Sequence, residues 1–335
     1  MLFIIAHHYV VNSGLTAPDG PILENPSNIN SYYLWTIGMW GKTGINCFIM
    51  ITGYFMCKST ITLRKFLKLI LEIYLYKLII YFIFIILGYE SVSLLKFIKM
   101  LFPFWGIQQN FTGCFIIFWL TIPFWNILIR NITKRQHELL LILVLTIYTI
   151  LGSIPSFEVN FNYVTWFGII YLIASYLRLY PHPIFEKKRF WFYISIVLIS
   201  LAIVSMYILV KYQGGMYAQF FVNDCNKFLA VSIAITTFLW FKNINIPYNK
   251  YINLIGGSTF GVFLIHTRSS IRQWLWGDAV KCVDYYNLPL AELVLYNLGV
   301  IILIFFICTI IDRIRIRYLE EPLFKLLDNK IPQLK

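Results

Sequence analysis

Five histidines occur in the chain, and three of them interrupt strongly apolar runs. His7 and His8 stand together in Leu2-Phe3-Ile4-Ile5-Ala6-His7-His8-Tyr9, and His266 closes the run Thr259-Phe260-Gly261-Val262-Phe263-Leu264-Ile265-His266. Imidazole is the one side chain whose ordinary titration falls near neutrality, which suits it to move a proton to or from an unactivated group. Consecutive helical residues point about 100° apart, so His7 and His8 cannot share one role. The bland alternative for each is a neutral, hydrogen-bonded core histidine.

Charged groups fall in the same apolar surroundings. Lys42 lies in Gly41-Lys42-Thr43-Gly44-Ile45-Asn46, where small residues allow close helix approach. Its ammonium either meets an anionic substrate group or snorkels to the interface. Arg268 and Arg272 follow His266 closely, a local cation cluster. Glu72 and Lys77 are five apart, do not face each other on a helix, and are expected to be structural. Lys227, beside Asp224 and Asn226, reads as a solvated helix start. An ionisable group at membrane depth costs about 2.5–3.5 kcal/mol or more, so its default reading is functional. The six cysteines form no C-x-x-C pair and no cluster with histidine, so neither a metal site nor a disulfide framework is expected.

These residues need helices in lipid to hold them. The 335 residues are 59% hydrophobic, 19% aromatic and only 13% charged, with a mean hydropathy of +0.71. A soluble domain of this length does not hide that much apolar surface. The net charge of +13 comes in short clusters between apolar runs, the pattern of membrane loops and not of a nucleic-acid-binding face. The expected fold is therefore all-α: a polytopic transmembrane bundle of about ten spans, near 1–15, 37–57, 69–88, 112–129, 138–154, 163–180, 190–210, 225–241, 253–267 and 290–311. The aromatic, amphipathic segment 94–109, punctuated by Pro103, is expected to lie in the interface.

Orientation follows from counting cations. With the N-terminus inside, 18 of the 28 Lys and Arg fall in cytoplasmic segments and 6 in external ones. Lys42, Lys77, Arg178 and Lys227 lie within spans. That bias predicts both termini in the cytoplasm. The external loops are too short to fold alone, so residues 1–335 are read as one transmembrane domain. The first span reaches only about 22 Å against a hydrocarbon core of about 30 Å. It also lacks a basic anchor, so the first helix is expected to be truncated at its N-terminus.

Four stretches, in order and over nearly the whole chain, resemble the acyltransferase-3 family of bacterial integral-membrane acyltransferases. They are Leu2–Tyr9, Gly44–Phe55 with its Gly53-Tyr54 end, Thr259–His266, and Arg317-Tyr318-Leu319-Glu320-Glu321-Pro322 with its Glu-x-Pro close. One departure stands out: the family's arginine, eleven residues ahead of its first histidine, would fall before Met1 when counted from His8. The same spacing selects His8 over His7 as the family's histidine.

The resemblance implies acyl transfer from an acyl-CoA, usually acetyl-CoA, to a hydroxyl of a cell-surface polysaccharide or lipid-linked sugar. It implies no permanently bound cofactor, and a bacterial plasma membrane setting. Under it, His8 is expected as general base, with Lys42, Asn46 or His266 as donors to the thioester oxyanion. Arg64, Lys65 and Lys68 would hold CoA phosphates, while His7, Arg268 and Arg272 would contact substrate. The competing reading is a polysaccharide or lipid transporter, flippase or polymerase without acyl transfer. No internal repeat of the kind common in transporters is visible.

Overall fold

The computed structural model describes residues 1–102 and 110–330. Among these residues there is no strand, and the chain runs through sixteen α-helices. Contacts gather them into two compact units.

The first unit comprises Met1–Leu34, Ile61–Trp105 and Pro247–Lys335. It contains α1 (Leu2–Val11), α2 (Pro21–Glu24) and the start of α3 (Ile29–Gly38). It also holds α5 (Leu63–Ile86), α6 (Leu94–Leu101), α12 (Lys250–Gly257), α13 (Thr259–His266) and α14 (Ser269–Gln273). The last two are α15 (Leu290–Arg315), extended by a π-turn at Ile316–Glu320, and α16 (Glu321–Lys330). Within this unit α1 packs on α15, and α13 lies against both α15 and α5. Ile4, Ile5, Tyr9 and Val10 turn one side of α1 inward, and the edge of Tyr9 meets the buried Trp276 ring at 5.9 Å between centroids.

The second unit comprises Trp35–Thr60 and Gly106–Ile246. It is built from α4 (Gly41–Met56), α7 (Phe111–Asn131), α8 (Lys134–Leu145, prolonged to Ser153 by tighter and wider turns), α9 (Tyr163–Leu179), α10 (Lys188–Gln213) and α11 (Phe228–Lys242). Here α4 sits between α9 and α11, with α7 also on α9 and α10 on α11. Glycine makes the α4–α9 approach possible: a Cβ on Gly53 would lie 2.9 Å from that of Ala174.

Helix occupies every expected span, 253–267 as two pieces. The stretches Leu63–Ile86, Phe111–Asn131, Lys134–Ser153, Lys188–Gln213 and Leu290–Lys330 are long and apolar enough to cross a bilayer, and Leu2–Val11, Tyr163–Leu179 and Phe228–Lys242 are shorter apolar helices. The fold is all-α, and the protein is a multi-pass membrane protein. The starts were written locally. Thr62, Asn110, Thr133 and Asn162 each cap a first turn by accepting from backbone N–H groups, and Thr133 with Gln136 forms a reciprocal capping box.

Three details differ from the sequence reading. The expected span 253–267 is two helices, parted at Ser258 after Gly256-Gly257, a pair that weakens helix continuity. The segments 16–36 and 268–289, read as plain connections, contain α2, α3, α14 and a π-turn at Trp274–Ala279. Their buried hydrophobic residues include Ile22, Leu34 and Trp35 in the first and Trp276, Val280, Cys282 and Tyr286 in the second, spaced without a sustained helical period. The last helix also continues beyond 311, so Asp312 and Arg315 are buried and not part of a solvated tail. Of the segment expected in the interface, α6 is helical and exposes Leu94, Leu95, Ile98 and Leu101; residues 103–109 lie outside the described residues.

Candidate active site

In the first unit α1 brings His8 to His266, the last residue of α13. Nδ1 of His8 lies 3.1 Å from Nε2 of His266, and Nδ1 of His266 lies 2.6 Å from the carbonyl oxygen of Val262, one turn earlier. A carbonyl only accepts, so Nδ1 of His266 carries a hydrogen. His266 is fully buried and has no carboxylate at ion-pair distance among the described residues, conditions that favour the neutral ring. Its Nε2 then accepts, and His8 donates from Nδ1. The lone pair of His8 consequently falls on Nε2, the tautomer a general base needs. His8 is half-buried and His266 closed off, so the pair has one outward member and one inward. His7 is half-buried beside them, its ring centroid 5.7 Å from that of His8. Both ring nitrogens of His266 therefore have protein partners, Nε2 facing His8 and Nδ1 facing the Val262 carbonyl.

A second cluster in the same unit escaped the sequence reading. Arg315, 4% exposed, bonds three carboxylates: Glu72 at 3.2 Å, Asp312 at 3.0 Å and Glu320 at 2.7 Å. Tyr76 donates its hydroxyl to the same Asp312 oxygen at 2.7 Å, and Lys68 pairs with Glu320 at 2.9 Å. This network joins α5 to the end of α15 and to the Glu320-Glu321-Pro322 turn. It also explains how charge stays buried there, each guanidinium edge meeting an oxygen. The signal was present in the i, i+3 pair Asp312 and Arg315, but it looked like the ordinary charge of a cytoplasmic tail.

The cations expected to hold CoA phosphates divide. Arg64 pairs with Asp328 and lies over the Phe324 ring, and Lys68 pairs with Glu320. Both are engaged with α16 or its approach, while Lys65 is exposed on the first turn of α5. Just past the His266 end of α13, Arg268 is half-buried with its Nη2 against the Met100 sulfur. Its Nε is buried without an acceptor among the described residues. Burial pulls the Arg268 pKa below its ordinary value, with Glu90 opposing. Arg272 is exposed. Ser270 donates to Glu90 beside them.

The remaining expected residues lie in the second unit. Lys42 donates to the Tyr163 hydroxyl at 2.8 Å and lies 3.9 Å from Asp224, so it is held by partners and does not snorkel alone. Asn46 is fully buried, and both halves of its amide are engaged: Nδ2 donates to the Cys225 carbonyl at 2.8 Å and Oδ1 accepts from Trp166 Nε1 at 2.8 Å. That double engagement ties α4 to α9 and to the entry of α11.

The chain was compared with known proteins. A family model described as an acyltransferase domain, that of the acyltransferase-3 family, matches residues 1–313 of the 335. No curated protein and no solved structure matches the chain.

Proposed function

The chain belongs to the acyltransferase-3 family and is a membrane acyltransferase, and we propose that it moves an acetyl group from acetyl-CoA to a hydroxyl of a cell-surface polysaccharide or lipid-linked sugar at a bacterial plasma membrane. The observation that carries this reading is the chain of bonds from His8 to His266 to the Val262 carbonyl, which puts a basic lone pair on His8 Nε2.

In the proposed reaction His8 Nε2 takes the proton of the acceptor hydroxyl as that oxygen bonds to the thioester carbon. The carbon–sulfur bond then breaks, and His8 returns the proton to the departing sulfur. Ester and free CoA thiol result, with the enzyme unchanged. As His8 becomes imidazolium, its Nδ1–H bond to His266 becomes charge-assisted and strengthens. His266 therefore serves the transition state more than the ground state, the condition for raising a rate. Arg64, Lys65 and Lys68, in the first turns of α5, are proposed to meet CoA phosphate; Lys42 and Asn46 stay in structural service of the second unit. His7, Arg268 and Arg272 are proposed as contacts to substrate.

The test has two arms. Purified protein in lipid is supplied with acetyl-CoA and envelope glycans, and free thiol is followed with a colorimetric reagent. Surface glycans from cells with and without the gene are weighed by mass spectrometry for the loss of one acetyl group. Thiol release and that mass loss are expected. Absence of both would sink the proposed donor and acceptor.

A further inference from the structure

A recess of about 340 Å³ opens in the second unit, and none of the residues assigned above to the reaction is in its lining. Its walls are two short segments, Phe157–Asn160 after α8 and Asn223–Lys227 ahead of α11. The floor is built. Asn226, 3% exposed, donates to the Tyr148 carbonyl at 2.9 Å, and it packs so close to Gly152 that a Cβ there would lie 2.6 Å from its amide nitrogen. Lys227 donates to the Gly152 carbonyl at 2.6 Å and stacks on Phe220 at 4.3 Å, which ties down the one cation of the lining. Asp224 accepts from the Cys225 N–H at 2.7 Å and faces Lys42 at 3.9 Å.

What faces the opening is a set of oxygens and amides: Glu158, Asn160, Asn223 and Asp224, with the Phe157 ring 52% exposed at the rim. A phosphate or other anion meets two carboxylates and an engaged lysine there, so the lining repels it. An apolar ligand leaves those polar groups without partners. A sugar ring satisfies both demands. Vicinal hydroxyls donate to carboxylates and bridge amides, while a C–H face lies on an aromatic ring. The volume also falls within the roughly 300–1,000 Å³ of small-ligand sites.

We infer that this recess is a carbohydrate subsite, with Glu158, Asp224, Asn160 and Asn223 bonding ring hydroxyls and Phe157 stacking on the ring. It rests on the hydroxyl-bearing acceptor of the proposed function and names its class as a neutral or cationic sugar. The orientation inferred from cation counts gives it the matching side, since segments 155–162 and 211–224 carry one cation between them, Lys211.

The test is saturation-transfer NMR on full-length protein in nanodiscs, with the methyl glycosides of glucose, galactose, rhamnose and N-acetylglucosamine as probes. Transfer to the ring protons of at least one probe is expected. Glu158→Gln with Asn223→Ala, and separately Phe157→Ala, should each weaken it about tenfold, the order expected for lost contacts to a charged acceptor or an aromatic face. These are exposed positions, so the variants should fold. No transfer to any probe, or transfer unchanged in both variants, overturns the subsite. Thiol release from acetyl-CoA in the same samples reports separately on the reaction: release without glycoside binding removes the subsite alone, and binding without release removes the reaction alone.

Discussion

The carboxylate of Asp312 occupies the space in which a side chain on Gly261 would begin. Gly261 lies five residues ahead of His266 on α13, and Asp312 is the fully buried member of the Arg315 network on α15. The glycine lets the helix that carries His266 rest directly on the charged cluster. Gly261→Ala should therefore cost about 1–3 kcal/mol by overpacking. Combined with Asp312→Ala, it should cost less than the sum of the two, by about 0.5–3 kcal/mol. Thermal unfolding in detergent measures both, and strictly additive losses would show that the contact does not couple the helices.

His8→Ala should lower acyl transfer by about 10²–10⁴-fold, the usual contribution of a general base. Expression and membrane insertion should remain near those of the parent. His7→Ala should be milder. If the two effects were reversed, the base would be His7.

His266→Ala removes the acceptor of the His8 Nδ1–H and frees the His8 ring to turn. A loss of about 10–100-fold in transfer is expected, the scale seen when an oriented histidine loses its outer partner. His266→Gln, whose amide oxygen is an acceptor, should recover part of it. A packing role alone predicts no better rate from Gln than from Ala at equal thermal stability.

Arg315→Leu leaves Glu72, Asp312 and Glu320 without their shared cation. Stability should fall by about 3–5 kcal/mol, as for other broken buried pairs. The protein should melt early or disappear from membranes. Arg315→Lys should rescue little, since one ammonium cannot meet three carboxylates in the fixed directions that a guanidinium serves. Unfolding midpoints near that of the parent would contradict the structural weight given to this cluster.

The inferred sidedness is open to cysteine labelling. With the native cysteines replaced, Ser59→Cys should resist a membrane-impermeant maleimide applied to intact cells, and Ser269→Cys should react. Labelling of Ser59→Cys from outside would invert or break the expected topology.

Residue order alone determined the helices and their setting. Apolar runs of bilayer length admit no other backbone in lipid, because every N–H and C=O must be satisfied within its own segment. Local caps such as Thr133 with Gln136 then fix where helices begin. The type of candidate base was legible too, since histidines at membrane depth are costly enough to demand a reason. What the order could not say was which polar groups meet. His8 and His266 are 258 positions apart, and the tautomer proposed for His8 follows from the contacts of His266 with His8 and with the Val262 carbonyl, which exist only in the packed helices. In the same way Asn46 looked like a free donor until α9 and the entry of α11 closed on its amide, and Arg315 looked like a tail charge until α5 brought Glu72 to it. Hydrophobic burial is written in composition and period and is non-directional. Hydrogen bonds and buried ion pairs are directional at about 3 Å, so their partners are chosen only when the helices have packed.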